Sequence, residues 1–95
     1  MLLKDKVALI TGGGNGIGRA IVLRFLRDGA KVVTVDLDQA GMEETLKEAG
    51  QAGGQIRGEM ANITKREDVQ RVVDSIVKEH GRLDILINNA GITRD

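Results

Sequence analysis

Residues 7–18 read Val-Ala-Leu-Ile-Thr-Gly-Gly-Gly-Asn-Gly-Ile-Gly, an aliphatic run that stops in five glycines within seven positions. Four consecutive apolar residues without alternation suit a strand covered on both faces, and the glycines suit a tight turn out of the sheet. Helical spacing begins at once. Ile17, Ala20, Ile21 and Phe25 recur with that period and Gly29 supplies a stop, which predicts a helix from Gly16 to Asp28. Val32-Val33-Thr34-Val35 then repeats the doubly covered strand and closes on Asp36.

The same alternation continues downstream. Met42, Leu46 and Ala49 share one face of a helix predicted over Gln39 to Gln51, which Gly53-Gly54 breaks. Gln55 to Met60 alternates polar and apolar residues, as an outer strand does. Thr64 and Glu67 stand at capping-box spacing before a third helix, whose apolar stripe is Val69, Val72, Val73, Ile76 and Val77. Leu83 to Ile87 reads as a fourth strand. The order β-α-β-α-β-α-β with short connections argues an α/β fold: a parallel sheet with right-handed crossovers and helices on its faces.

At 95 residues the chain makes one small domain, residues 1–95, with a thin core. Apolar residues at 41% place it among folded globular proteins rather than disordered ones. Its 14 basic and 14 acidic residues are mixed along the chain, so it presents no electrostatic footprint for nucleic acid or an anionic membrane. With no cysteine there is neither a disulfide framework nor a thiolate metal site, which fits a cytoplasmic protein. The start, Met1 to Lys6, carries charge where an export signal needs an apolar stretch.

Chemistry concentrates at the first turn. A helix N-terminus offers unpaired backbone N–H groups and the positive end of the helix dipole, so anions bind there. Glycine is required where main chain must approach a pyrophosphate without an intervening Cβ, and where helix and strand pack closely; Gly12, Gly16 and Gly18 can serve these roles. A P-loop is excluded because Gly18 is followed by Arg19-Ala20, without the phosphate lysine or the magnesium hydroxyl. The G-x-G-x-x-G fingerprint fails too, since Ile17 falls where its third glycine belongs. The pattern that remains is Thr-Gly-x-x-x-Gly-Ile-Gly.

Asp36 lies 18 residues beyond Gly18, near the roughly 20-residue offset at which an acid meets the ribose 2′-OH of a dinucleotide. A carboxylate there accepts hydroxyl hydrogen bonds and repels a 2′-phosphate. No cation stands at Asn15 or Leu37 to offset that repulsion, so NAD is expected in preference to NADP. The alternative is that Asp36 merely ends its strand or caps the next helix.

Together, Thr11 to Gly18, Asp36 and Asn88-Asn89-Ala90-Gly91 resemble the short-chain dehydrogenase/reductase family over essentially the whole chain. The ending Asn-Asn-Ala-Gly-Ile-Thr-Arg-Asp is similar to 3-oxoacyl-acyl carrier protein reductases within it. The resemblance implies a Rossmann-like half sheet in strand order 3-2-1-4 and hydride transfer between nicotinamide and a carbonyl or alcohol. It implies that Gly12, Gly16, Ile17 and Gly18 hold the pyrophosphate and nearby ribose and Asp36 the adenosine ribose. Asn88, Asn89, Ala90 and Gly91 would lie along the cofactor and Ile92 would approach the nicotinamide, with Asn15, Leu37 and Ile63 completing the set. Where the family usually has an Asp for the adenine amino group, this chain has Asn62, whose amide oxygen can accept that bond without the charge.

The family's proton-transfer residues are a Ser, a Tyr-x-x-x-Lys pair and a further Asn. They would lie beyond residue 95, and this chain has no tyrosine at all. Ser75 sits mid-helix and His80 at a helix end, both expected in structural roles, and neither a metal site nor a catalytic residue is expected. The reading is a cofactor-binding half without turnover of its own; the alternative is a stand-alone nucleotide-binding or self-associating module. Leu83, Ile85, Leu86 and Ile87 suit a strand with neighbours on both sides, so its outer edge is expected to recruit a second copy of the chain or a complementary C-terminal half.

Overall fold

The computed structural model of the chain describes residues 2–89. Val7–Thr11 forms β1, buried along its whole length, as its unbroken apolar run requires. Lys31–Asp36 forms β2, Gln55–Met60 β3 and Ile85–Asn88 β4, and all pair in parallel in the order β3-β2-β1-β4. Between them run α1 (Gly16–Arg27), α2 (Gln39–Ala52) and α3 (Arg66–His80). The element order and the half-Rossmann strand order are those expected from the sequence.

The pleat of the sheet divides the core in two. Val7 and Leu9 of β1 and Val33 and Val35 of β2 meet Val72 and Ile76 of α3 on one face. Ile10 and Val32 meet Val22 and Leu26 of α1 and Ala49 of α2 on the other. β3 serves both faces differently. Ile56 packs under α2, whereas Arg57 and Glu59 join Glu79 and Arg71 in an ion-pair network toward α3.

Four details depart from the sequence reading, the first being that Val69 and Val77, expected on the apolar stripe of α3, lie at its exposed margins, the buried line being Val72 and Ile76. The inward line of α1 is Gly18, Val22 and Leu26, while Ile17 is 65% exposed and Ala20 lies outside; the helix is rolled so that its one close main-chain contact, at Gly18, faces the sheet. Thr64 does not cap α3. Lys65 occupies the N-cap position, because the Thr64 hydroxyl and N–H both donate to Asn62 Oδ1, at 2.6 and 2.9 Å, which holds Thr64 in the preceding turn. Leu83 precedes β4 rather than beginning it, and packs on the α3 side of the core.

Candidate functional site

β1 ends and α1 begins at the one place where the sheet's connections diverge, since β1 has β2 on one side and β4 on the other. In open α/β sheets ligands bind outside the carboxyl ends of the strands at such a switch point. The turn is tied down from several directions. Gly12 N–H donates to the Val35 carbonyl at 2.8 Å, and Asn89 Nδ2 donates to the Gly12 carbonyl at 3.3 Å. A Cβ on Gly18 would overlap the Gly12 carbonyl oxygen, so only glycine allows the helix to start this close to the strand.

Asn15 is the N-cap of α1 in extended conformation, and its side chain makes no capping bond. It reaches sideways instead, donating from Nδ2 to Asp38 Oδ2 at 3.3 Å. The first turn carries no acidic residue. Its N–H groups, which have no intrahelical acceptor, therefore meet neither a capping oxygen from Asn15 nor a carboxylate from within the turn itself, which favours an anion there.

Asp36 lies at the end of β2, beside the turn. Its Oδ2 accepts from Gly14 N–H at 2.9 Å, and its Oδ1 accepts from the N–H groups of Leu37 at 2.7 Å and Asp38 at 3.1 Å. A carboxylate has about four lone-pair sites, so these three bonds leave room on Oδ2 for one further donor. Asp36 does not cap α2; Asp38 does, accepting from Gly41 N–H at 3.0 Å.

Gly12, Asp36, Leu37, Asn62 and Ile63, all anticipated from sequence, line one open groove of about 300 Å³ together with Val35, Ala61 and Thr64. Asn15, Gly16, Ile17 and Gly18 form the adjoining helix start. The Asn62 amide oxygen is engaged within its own loop, by both donors of Thr64. An adenine amino group would have to displace one of them. Asn88 Oδ1 accepts from Thr11 Oγ1 at 3.1 Å, bracing β4 against β1. Asn89 is 5% exposed, and among the described residues its Oδ1 has no hydrogen-bond partner. Ala90, Gly91 and Ile92 lie outside the described residues.

Ser75 and His80 take structural places. Ser75 Oγ donates to the Val72 carbonyl at 2.8 Å and receives Arg57 Nη2 at 3.2 Å, while His80 closes α3 beside Glu79. Sequence reasoning passed over Arg19 and Thr45, which bond to the carbonyls of the glycine turn. The available signal was a hydroxyl on the buried stripe of α2, between Met42 and Ala49. At the opposite end of the sheet, the Arg82 guanidinium, aided by Val7 N–H, holds the Asp84 carboxyl below the usual carboxylate range.

Comparison with known proteins agrees on the family and the fold. The family model described as short chain dehydrogenase matches residues 6–95. The 3-oxoacyl-[acyl-carrier-protein] reductase of Thermotoga maritima is 42% identical over 95 residues, 100% of this chain and 39% of that protein. A short-chain dehydrogenase/reductase homolog of Bacillus subtilis is 44% identical over 95 residues, covering 99% of this chain and 87% of that one. Among solved structures, a short-chain dehydrogenase/reductase from Burkholderia phymatum in complex with NAD superposes with a TM-score of 0.84 at 29% identity, over 90% of this chain and 31% of its own. The chain thus spans about 39% of the Thermotoga enzyme's length and most of the Bacillus protein's.

Proposed function

The chain belongs to the short chain dehydrogenase family, and from that membership we propose that it binds a nicotinamide dinucleotide, with NAD preferred to NADP. The diphosphate lies against the first turn of α1 and the adenosine half in the groove beside it. The observation that carries this reading is the convergence of Gly12, Asp36, Leu37, Asn62 and Ile63 on that groove, next to a helix start with no acidic residue in its first turn. When bound, the cofactor supplies hydride chemistry; the protein supplies orientation and electrostatics. Asp36 sets the preference, because its carboxylate can receive a ribose hydroxyl and repels a phosphate at the same position.

These 95 residues contain no tyrosine, so the Tyr-x-x-x-Lys pair that the family uses for proton transfer is not among them. The chain alone is expected to bind cofactor without turning it over. Whether it acts inside a cytoplasmic oxidoreductase or as a binding module, its outer edge on β4 offers a place for a partner strand, since among the described residues β4 pairs only with β1 and its Leu86 is 59% exposed. A second copy of the chain, or a complementary half, is the partner proposed.

Calorimetric titration with NAD and then NADP tests the central reading. Micromolar binding of NAD with weaker NADP is expected. Absence of binding to either would remove the cofactor assignment and leave the family fold.

A further inference from the structure

The carbonyl side of the glycine turn is held by residues that the cofactor motif does not include. The Gly13 carbonyl accepts from the Thr45 hydroxyl at 2.7 Å, and Thr45 Oγ1 in turn accepts from Arg19 Nε at 2.8 Å. A hydroxyl has one hydrogen to give, so this direction is the only one open to it. Arg19 Nη2 donates to the carbonyls of Gly14 at 2.6 Å and Gly41 at 3.1 Å, and Nη1 lies 3.6 Å from Glu48. Thr45 is fully buried and the Arg19 side chain is 24% exposed, so water competes weakly for these bonds.

A peptide plane is rigid, and a carbonyl tied on one side directs the next N–H to the other. Thr45 and Arg19 draw the Gly13 and Gly14 carbonyls toward α2. The N–H of Gly14 is thereby turned to Asp36, which receives it at 2.9 Å. One guanidinium thus joins the turn to two points on α2, and its charge is partly spent on Glu48 rather than presented to a ligand.

We propose that Arg19 and Thr45 are positioning residues that hold the main chain of the glycine turn in its diphosphate-binding shape, and that Arg19 does so through its forked hydrogen bonds rather than as a cation attracting the ligand. This rests on the reading of that turn as a dinucleotide site. It adds two residues from outside the motif, one of them on α2, to the determinants of affinity.

The test titrates ADP and adenosine separately into the unmodified chain, Arg19→Lys and Thr45→Val, following amide shifts by NMR, with circular dichroism and the unfolding midpoint measured alongside. Arg19→Lys keeps the charge and loses the planar fork; Thr45→Val keeps the shape and loses the hydroxyl. In both variants ADP affinity is expected to fall roughly tenfold, the scale of one hydrogen bond to a charged group, with adenosine affinity unchanged and the fold retained. Full ADP affinity in Arg19→Lys would show that charge suffices and overturn the proposal. Equal weakening of ADP and adenosine would overturn it too, by reducing the effect to general loosening of the fold. If the unmodified chain bound neither ligand, the cofactor reading itself would fall and take this inference with it; affinity retained in the variants would sink the inference alone.

Discussion

Asp36 does two things at once, and the geometry separates them. Its three bonds to main-chain N–H groups fix the Gly14 peptide and the β2 exit, while the residue also lines the groove with capacity left on Oδ2. Asp36→Ala should therefore weaken binding of both cofactors by loosening the turn, and in addition narrow the proposed preference for NAD over NADP by about 1–3 kcal/mol, the scale of hydrogen bonds to a charged group. The ratio of the two affinities is the useful readout, because loosening common to both cancels in it. Asp84 makes a pH-dependent contribution at the far end of the sheet. Its folded pKa is depressed, first by the Arg82 hydrogen bonds and then by Val7 N–H. The stabilisation is therefore complete above the unfolded value of about 4 and is lost as pH falls through the folded value. Parent and Asp84→Asn are expected to differ in thermal midpoint at pH 7 and to converge as pH falls through the depressed folded value, which thermal scans across the acid range would show.

At the scale of elements, α2 proves more than a crossover. Its N-cap Asp38 accepts from Gly41 N–H and from Asn15 Nδ2, and its Thr45 reaches the Gly13 carbonyl, so the helix is bonded to the turn at both points. Asp38→Ala should cost about 1 kcal/mol through the lost cap, a drop of roughly 4–8 °C in the midpoint of a domain this size. A thermal scan of the variant checks this; an unchanged midpoint would mean that the start of α2 is held by its other contacts. α2 itself ends where Gly53 adopts φ +79°, a left-handed conformation that suits glycine, and this stop was readable from the Gly53-Gly54 pair. The start of α3 was not readable in the same way. Thr64 and Glu67 have the spacing of a capping box, but the N–H and hydroxyl of Thr64 both donate to Asn62 Oδ1, an Asx turn that keeps Thr64 one position ahead of the N-cap.

Across the whole molecule the two outer strands are protected unequally. β3 carries Arg57 and Glu59 in ion pairs with Glu79 and Arg71, charges that discourage pairing with another strand. β4 carries Leu86 beside Val69 and Val73, which together with Leu9 and Ile63 line an open apolar groove of about 250 Å³. If β4 joins a second copy, light scattering should report a dimer for the parent and a monomer for Leu86→Lys, with circular dichroism unchanged because the substituted side chain is already 59% exposed. A monomeric parent at micromolar concentration would remove the self-association reading and leave the complementary half as the partner to test.

What the sequence by itself determined is local and periodic. Hydrophobic spacing set the order of strands and helices, the alternation of residues 55–60 marked β3 as an outer strand, and the glycine spacing with Asp36 pointed to the ends of β1 and β2, where Gly12 and Asp36 share a groove, because each signal lies within one element or at one junction. What only the tertiary structure decided depends on how elements meet. The roll of α1 follows from contact between Gly18 and Gly12, the Arg19–Thr45 bridge exists only because α1 and α2 lie side by side, and the lone pairs left on Asp36 and Asn62 depend on which neighbouring donors the folded loops bring to them. Side-chain hydrogen bonds between residues distant in sequence have no periodicity to reveal them, so they appear only once the helices are packed on the sheet.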